Sequence, residues 1–298
     1  MYSKIRQAHR LISVALVLVF FLSGCNRNIT NNEESVYDRV LRTGTLRVAY
    51  INYPPGGYKD ANTGQLTGIA IETLERIAQN TNLNIQYTEE VGWGTAIQGL
   101  DAGRYDIIGS PSWANPARGK LATLSAPIYF SGVHIWARQN ENRFNSNNNW
   151  ASINSPNVRI AAIDGSTPMA IARTQFPNAQ LVTYPDLTSE SQLFLDLVQN
   201  RVDVFFAEPA RALAFLQNNP NTIKNISLNQ PIRIFANVYM MRKNEPQLRQ
   251  MIDVALQDLQ SSGFIDQLLR RYEPGPGSFY SVSRPYVLEG PPSPSPSP

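Results

Sequence analysis

The chain has 298 residues, 42% of them hydrophobic and 16% charged. That suffices for one large core or two modest ones, and it excludes a disordered chain or a coiled coil over the whole length. The formal charge of +3 rests on Lys4, Arg6 and Arg10; without them the chain carries 23 basic against 23 acidic residues. No Lys/Arg-rich block remains to grip phosphates, so no nucleic-acid partner is expected.

The first 24 residues combine that basic start with an apolar run of 12 residues, Leu11 to Leu22. The run fits the apolar segment of a secretory signal and falls short of a membrane span. Leu22-Ser23-Gly24-Cys25 resembles a bacterial lipobox, in which cleavage precedes the cysteine and its sulfur takes a diacylglycerol. Read so, residues 1–24 are a lipoprotein signal peptide and Cys25 is the lipidation site. Residues 25–35, polar and Asn-rich, are a tether holding a periplasmic or extracytoplasmic body on its membrane by the lipid anchor. Cys25 is the only cysteine; the processed chain is therefore expected to have no disulfide, no cysteine metal site and no cysteine nucleophile.

Strand and helix signals then alternate. Thr45 to Ile51 reads as a strand, Ile69 to Ala78 as a helix, Leu83 to Tyr87 as a strand, Thr95 to Ala102 as a helix with Gly103 past its end, and Tyr105 to Ile108 as a buried strand. This βαβαβ order implies a parallel sheet with helices on both faces. Asn145 to Asn149 reads as a loop, and the alternation restarts with a strand over Arg159 to Ile163. Gly165-Ser166-Thr167-Pro168 opens a helix reaching about Gln175, with Thr167 expected at the N-cap and Pro168 at the first helical position. A strand at Leu181 to Tyr184, a helix at Ser189 to Asn200 and a buried strand at Val202 to Phe206 follow. Gln247 to Tyr272 places Leu248, Met251, Ile252, Ala255, Leu256 and Leu259 at helical spacing, an apolar face that needs a partner surface. Pro291 to Pro298 alternates Pro and Ser and cannot build a core.

The order of short motifs resembles family 3, the polar amino-acid type, of the periplasmic solute-binding proteins of ABC transporters, in lipoprotein form. It is carried by Gly44-Thr45-Leu46-Arg47-Val48, Gly64-Gln65-Leu66-Thr67-Gly68, Trp93, Leu100-Asp101-Ala102-Gly103-Arg104-Tyr105-Asp106, Asn115-Pro116-Ala117-Arg118, Ser125-Ala126-Pro127-Ile128-Tyr129, Gly165-Ser166-Thr167 and Asn200-Arg201-Val202-Asp203. The resemblance covers roughly Thr45 to Tyr272. It implies an α/β fold of periplasmic binding protein type II: two lobes with mostly parallel sheets, joined by a two-strand hinge that closes on a ligand. The crossings are expected near Ser131 and Ile232. Lobe 1 is then 36–131 plus 233–288, lobe 2 is 132–232, and 289–298 is a Pro/Ser tail. A monomer is expected.

On spacing alone Arg118 reads as a solvated helix arginine. The resemblance makes it the fork for a ligand α-carboxylate, a geometry that a planar guanidinium offers in two parallel donors. Ser166 and Thr167 fall in the loop whose backbone N–H groups meet the same carboxylate, at the positive end of a helix; a plain N-cap would produce the same residues. Glu208 stands where the family usually has an Asp for the ligand ammonium, and reads equally as a loop carboxylate after a strand. Tyr53 and Trp93 match aromatic walls, with core packing as the alternative. Pro111 and Trp113 depart from the family, falling where small hydroxyl or backbone donors are common. Pro111 has no N–H, which leaves Ser110 and Ser112 available beside the bulky Trp113.

The resemblance implies a protein that captures a small zwitterionic solute, an amino acid, for an ABC permease, with no cofactor and no metal. Two alternatives stay open. A cyclohexadienyl (prephenate or arogenate) dehydratase on the same fold would use Glu208 as an acid, and a sensor would pass ligand binding to a membrane partner. Other enzyme signals are weak. His134 stands alone, no Gly-x-Ser-x-Gly elbow, phosphate-binding Gly-rich loop or His-x-x-x-His pair occurs, and Asp60-x-Asn62-x-Gly64 reads as a turn and not a calcium loop.

Overall fold

The computed structural model describes residues 34–144, 150–228, 230–275 and 277–282. The expected signal peptide, Cys25, most of the expected tether, Asn145–Asn149 and the Pro/Ser tail lie outside them. Among the described residues no helix is long and apolar enough to cross a membrane.

The body opens with helix α1 (Val36–Thr43), which sequence periodicity did not reveal; Val36 and Val40 are its buried residues. Strand β1 (Thr45–Tyr50) follows, then a small hairpin of β2 (Tyr58–Lys59) and β3 (Leu66–Thr67). The turn expected at Asp60 sits in that hairpin, where Asp60 Oδ1 accepts the backbone N–H groups of Asn62 and Thr63 at 2.9 and 2.8 Å. Helix α2 (Ile69–Asn80) buries Ile69, Ala70, Leu74 and Ile77, and β4 (Asn84–Glu90) and α3 (Ala96–Asp101) come next. The strand expected at Tyr105 begins later, as β5 (Ile107–Trp113). Tyr105 instead fills the space under α3, its hydroxyl donating to the Ala96 carbonyl at 2.8 Å. Gly99 makes that possible, because a Cβ there would lie 1.9 Å from the Tyr105 hydroxyl.

Helix α4 (Pro116–Leu121) and β6 (Thr123–Leu124) lead to the long β7 (Tyr129–Arg138). A 3-10 turn (Trp150–Ile153) precedes β8 (Arg159–Ile163), α5 (Thr167–Gln175), β9 (Gln180–Tyr184), α6 (Glu190–Val198), β10 (Val204–Ala207), α7 (Pro209–Asn218) and β11 (Ile223–Asn225). The chain returns through β12 (Arg233–Met241) to α8 (Pro246–Ser261) and α9 (Phe264–Tyr272). Ser166, not Thr167, is the N-cap of α5: its side chain accepts from the Met169 N–H, and Thr167 is already helical. Pro at the second helical position suits this shift by one, since the first N–H groups of a helix lack intrahelical acceptors anyway.

One sheet runs β4-β1-β5-β12-β7-β10-β8-β9. Its ends are parallel, β1 with β4 and β5, and β8 with β9 and β10, as the alternating pattern requires. Its middle is antiparallel. Residues 129–133 of β7 pair with 233–237 of β12, and residues 134–137 of β7 pair with β10. Beneath the first half, Leu248, Ile252, Leu256 and Leu259 of α8 join Leu74 and Ile77 of α2 in one core, which supplies the partner surface that α8 needs. Each such side chain contributes about 1.5–3 kcal/mol through burial. Trp113, Val133, Ile135, Ile160 and Phe206 belong to another core on the second half.

The two halves repeat one device. Asp106 accepts the Arg47 N–H at 2.8 Å and pairs with the Arg47 and Arg39 guanidiniums. Asp203 accepts the Arg159 N–H at 2.9 Å and pairs with Arg159, Arg143 and Arg138. The Arg-Tyr-Asp and Arg-Val-Asp motifs therefore lock a strand to its parallel neighbour in each half. Burial pushes the Asp203 carboxyl up, but hydrogen bonds from Arg159 and Arg143 outweigh it and hold it at about 2. Its folded value lies below the unfolded 3.8, so its contribution is present above about pH 4 and is lost as pH falls toward 2. Denaturant unfolding of wild type and Asp203→Asn across pH 2–7 should show a stability gap that is constant near neutrality and closes below pH 4; a gap independent of pH would refute this account.

Candidate functional site

The C-terminal ends of β1, β5, β8 and β10 and the loops after them meet at one cleft. Asn115 caps α4, its Oδ1 accepting the Arg118 N–H at 2.9 Å, and Pro116 presets the first turn. This turn brings Arg118 into the cleft with only 7% of its surface exposed. Its Nη1 donates to the Trp113 carbonyl at 3.0 Å, and the guanidinium lies 5.0 Å over the Trp93 ring. Burial pulls its pKa down to about 10, against an opposing effect from Tyr53, so the group remains a cation at neutral pH. No carboxylate pairs with it among the described residues.

Opposite stands the first turn of α5. Gly165, at φ +72°, lets the second half approach the first, since a Cβ there would sit 2.5 Å from the Gly94 Cα. Ser166 and Thr167 are buried beside Arg118, and the Asn115 side-chain amide donates to the Thr167 hydroxyl at 3.4 Å. Asp186 adds a second tie between the halves, accepting the Gly94 N–H at 2.8 Å.

Glu208 follows β10 at the N-cap position of α7, but its side chain makes no cap hydrogen bond and is buried against Tyr53 and Trp113, two residues of the cleft lining. The carboxylate accepts from the Tyr53 hydroxyl at 2.9 Å, the Trp113 indole N–H at 2.9 Å and the Ser131 hydroxyl. Ser131 in turn accepts from the Asn237 amide at 2.7 Å. Burial raises the Glu208 pKa despite these three donors. A carboxylate offers about four acceptor positions, which leaves one on the oxygen facing Tyr53. Tyr53 and Trp93 meet edge to face at 5.5 Å, and Trp113 stacks on Phe235 at 5.1 Å.

Tyr53, Trp93, Trp113, Arg118, Ser166 and Thr167 thus line one space, and Glu208 is tied to it from behind through Tyr53 and Trp113. Ser110 and Ser112 do not line it. The Ser110 hydroxyl accepts the Ile51 N–H and donates to the Ile51 carbonyl, tying β1 to β5, and the buried Ser112 hydroxyl is outside the cleft lining. Trp113, read as a departure that displaces donors, supplies one itself through its indole N–H. His134 is packed in β7 against the Ser227 carbonyl, and burial lowers its pKa. Among the described residues no group of three or more His, Cys, Asp or Glu is placed to hold a metal.

Arg211 escaped sequence reasoning. It lies 4.7 Å over the Tyr53 ring, with its Nε donating to Glu190 at 2.8 Å and its Nη1 to the Pro54 carbonyl. A signal was present: Glu208-Pro209-Ala210-Arg211 repeats the form of Asn115-Pro116-Ala117-Arg118. Each tetrapeptide follows a strand and starts a helix. Around Arg118 the space is about 20 Å³, room for roughly one water. Beyond Tyr53 and Trp93 a cavity of about 560 Å³ is lined by Glu90, Asp186, Glu190 and Arg211 among others.

Two sheet halves joined by paired β7 and β12, with a buried cation and a helix N-terminus facing across the cleft, define a solute-binding protein. The chain belongs to the bacterial extracellular solute-binding proteins, family 3, whose profile matches residues 46–274. A probable histidine-binding protein of Campylobacter jejuni is 24% identical over 85% of this chain and 93% of its own length. A cyclohexadienyl dehydratase of Pseudomonas aeruginosa is 23% identical over 80% of this chain and 87% of its own. The crystal structure of a solute receptor for L-cysteine of Neisseria gonorrhoeae superposes with a TM-score of 0.70 at 16% identity, covering 84% of this chain and all of that one. The fold is that of the type II periplasmic binding proteins.

Proposed function

We propose that this protein is a lipoprotein, anchored through Cys25, that captures an amino acid outside the cytoplasm and delivers it to an ABC importer. The observation that carries the reading is Arg118, a buried guanidinium with no carboxylate partner among the described residues, facing the first turn of α5. A buried, uncompensated cation is costly, and a ligand carboxylate forked by it and met by helix N–H groups removes that cost. The free acceptor position of Glu208 suits the α-ammonium. An amino acid needs more than 20 Å³, so capture requires the lobes, 36–131 plus 233–288 and 132–232, to part and close about β7 and β12. The similar protein named as a probable histidine-binding protein supports an amino-acid ligand.

A thermal-shift screen of the protein against single amino acids tests this. A ligand at ~100 times its dissociation constant adds about 2.7 kcal/mol of stability, a readily measured rise in Tm. Stabilisation by one class of amino acids is expected; a flat response to all of them would sink the reading.

The state of Glu208 favours one second reading. A buried carboxyl whose pKa is raised suits a general acid, and a dehydratase is among the similar proteins. In prephenate dehydration such an acid would protonate the departing hydroxyl as water while the ring carboxylate leaves as carbon dioxide and its electrons complete the aromatic ring. Formation of phenylpyruvate, followed by absorbance, would establish it.

A further inference from the structure

We propose that Arg211 is a specificity-determining residue that fills the cation-receiving half of the cleft, so that the solute carries no positively charged side chain. This rests on the amino-acid reading of the same site and narrows it.

The Tyr53–Trp93 pair has one guanidinium over each ring, Arg118 over Trp93 and Arg211 over Tyr53. The two arginines are related by their Pro-Ala-Arg tetrapeptides, one in each half of the fold. Their partners differ. Arg118 has no carboxylate partner among the described residues and is open to that of a ligand. Arg211 already holds one from the chain itself: Glu190, the first residue of α6, lies 2.8 Å from its Nε. The side chains of Arg211 and Glu190 keep only 10% and 13% exposure, so the pair is withdrawn from screening by solvent. The Pro54 carbonyl accepts a further N–H and holds the guanidinium plane against Tyr53.

An aromatic face beside a carboxylate is what a ligand ammonium or guanidinium would seek. Here both are occupied from within. A cationic side chain would have to displace Arg211, breaking a buried ion pair, or lie beside it with like charge against like. The outer acids do not replace the lost site: Asp186 is engaged by Gly94 and Thr95, and Glu90 lies against Tyr50. An uncharged side chain passes along the edges of the two rings toward the 560 Å³ cavity without either cost.

The test compares L-arginine with L-citrulline, its uncharged isostere, by calorimetry on the wild-type protein and on Arg211→Ala. Wild type should bind citrulline at least tenfold more tightly than arginine. Arg211→Ala vacates the Tyr53 face and frees Glu190, so it should gain at least tenfold in arginine affinity while citrulline changes less than threefold. Arg211→Ala/Glu190→Gln should lose that gain. Wild type preferring arginine, or a folded Arg211→Ala showing no gain, would overturn the proposal. The wild-type comparison stands even if the variant does not fold. A wild-type protein that binds neither these nor any other amino acid would fail at the earlier step, taking the amino-acid reading and this proposal together. Binding of neutral amino acids alongside an arginine preference would leave the former intact and defeat only the latter.

Discussion

Arg118→Ala should lose ligand affinity by about 3–5 kcal/mol, more than two orders of magnitude, because it leaves the ligand carboxylate desolvated without its partner. The free protein should not suffer in parallel. Arg118 is a cation whose pKa burial has pulled down to about 10, with a guanidinium hydrogen bond to the Trp113 carbonyl and a ring beneath it. Removing it deletes an uncompensated buried charge at the cost of one hydrogen bond to that carbonyl. The ligand-free Tm is therefore expected to stay level or rise while binding disappears. Arg118→Lys separates charge from geometry: it keeps the cation, loses the planar fork, and should fall between wild type and Arg118→Ala. Calorimetry for affinity and thermal melts without ligand check both halves. An Arg118→Ala protein that binds like wild type would remove Arg118 from the site, and one that melts far below wild type would make it a structural residue.

The fold was legible where local pattern and burial coincide. Arg159–Ile163 is a strand in both readings, and Ile69 to Ala78 begins α2 at the expected residue, because one apolar face at the right period needs no distant partner to define it. Reading failed where tertiary contacts decide. Tyr105 has the residue type of a strand, yet it is drawn under α3 by the space above Gly99, so β5 starts two residues later. Helix α1 is eight residues long, too short to stand on its own propensity; it is held by Val36 and Val40 in the first core and by the Val36 N–H on Glu245, 209 residues away. Local pattern could not show the antiparallel middle of the sheet, since the pairing of β7 with β12 joins segments a hundred residues apart; the crossings near Ser131 and Ile232 were expected from the family resemblance alone.

The site divides the same way. Asn115-Pro116 announces a helix start, and with it the direction of Arg118, from four adjacent residues. Ser110 and Ser112 carry the chemistry of ligand donors but not the placement: the Ser110 hydroxyl bonds the Ile51 backbone across the sheet, and the Ser112 hydroxyl is buried without a partner among the described residues, away from the cleft lining. Trp113 was read by bulk, whereas its indole N–H reaches a carboxylate 95 residues later in the chain. Arg211 had a local signal, the repeated Pro-Ala-Arg, but its partner Glu190 lies 21 residues earlier and its ring, Tyr53, in the other half, so its role emerges only from the packing.

Glu208→Gln should give the second large effect, and its pH dependence should decide between capture and chemistry. Burial raises the Glu208 carboxyl in the folded protein, so its favourable contribution to the ligand-free fold is full below the ordinary value of 4.5 and declines as pH rises through the folded value. An arriving α-ammonium reverses that preference, because it favours the ionised form and expels the proton. Affinity for a zwitterion should thus increase with pH above 4.5 and level off once Glu208 is ionised in the free protein. Glu208→Gln keeps the shape and, with its oxygen in the Oε1 place, an acceptor for Trp113 and Ser131, while its NH2 replaces Oε2 and donates to the Tyr53 hydroxyl; the charge is removed. It should cost about 1.5–3 kcal/mol on the plateau and flatten the pH profile. A dehydratase would behave with the opposite sign. It needs Glu208 protonated, so its rate would fall as pH rises through the same interval, and Glu208→Gln would abolish turnover while leaving the ring-bearing ligand bound. Calorimetry with an amino acid and a rate assay with prephenate, each run from pH 4.5 to 9 on both proteins, set these slopes side by side. An affinity that rises with pH and flattens on substitution assigns Glu208 to the ligand ammonium, and a falling rate abolished by the same substitution assigns it to proton transfer.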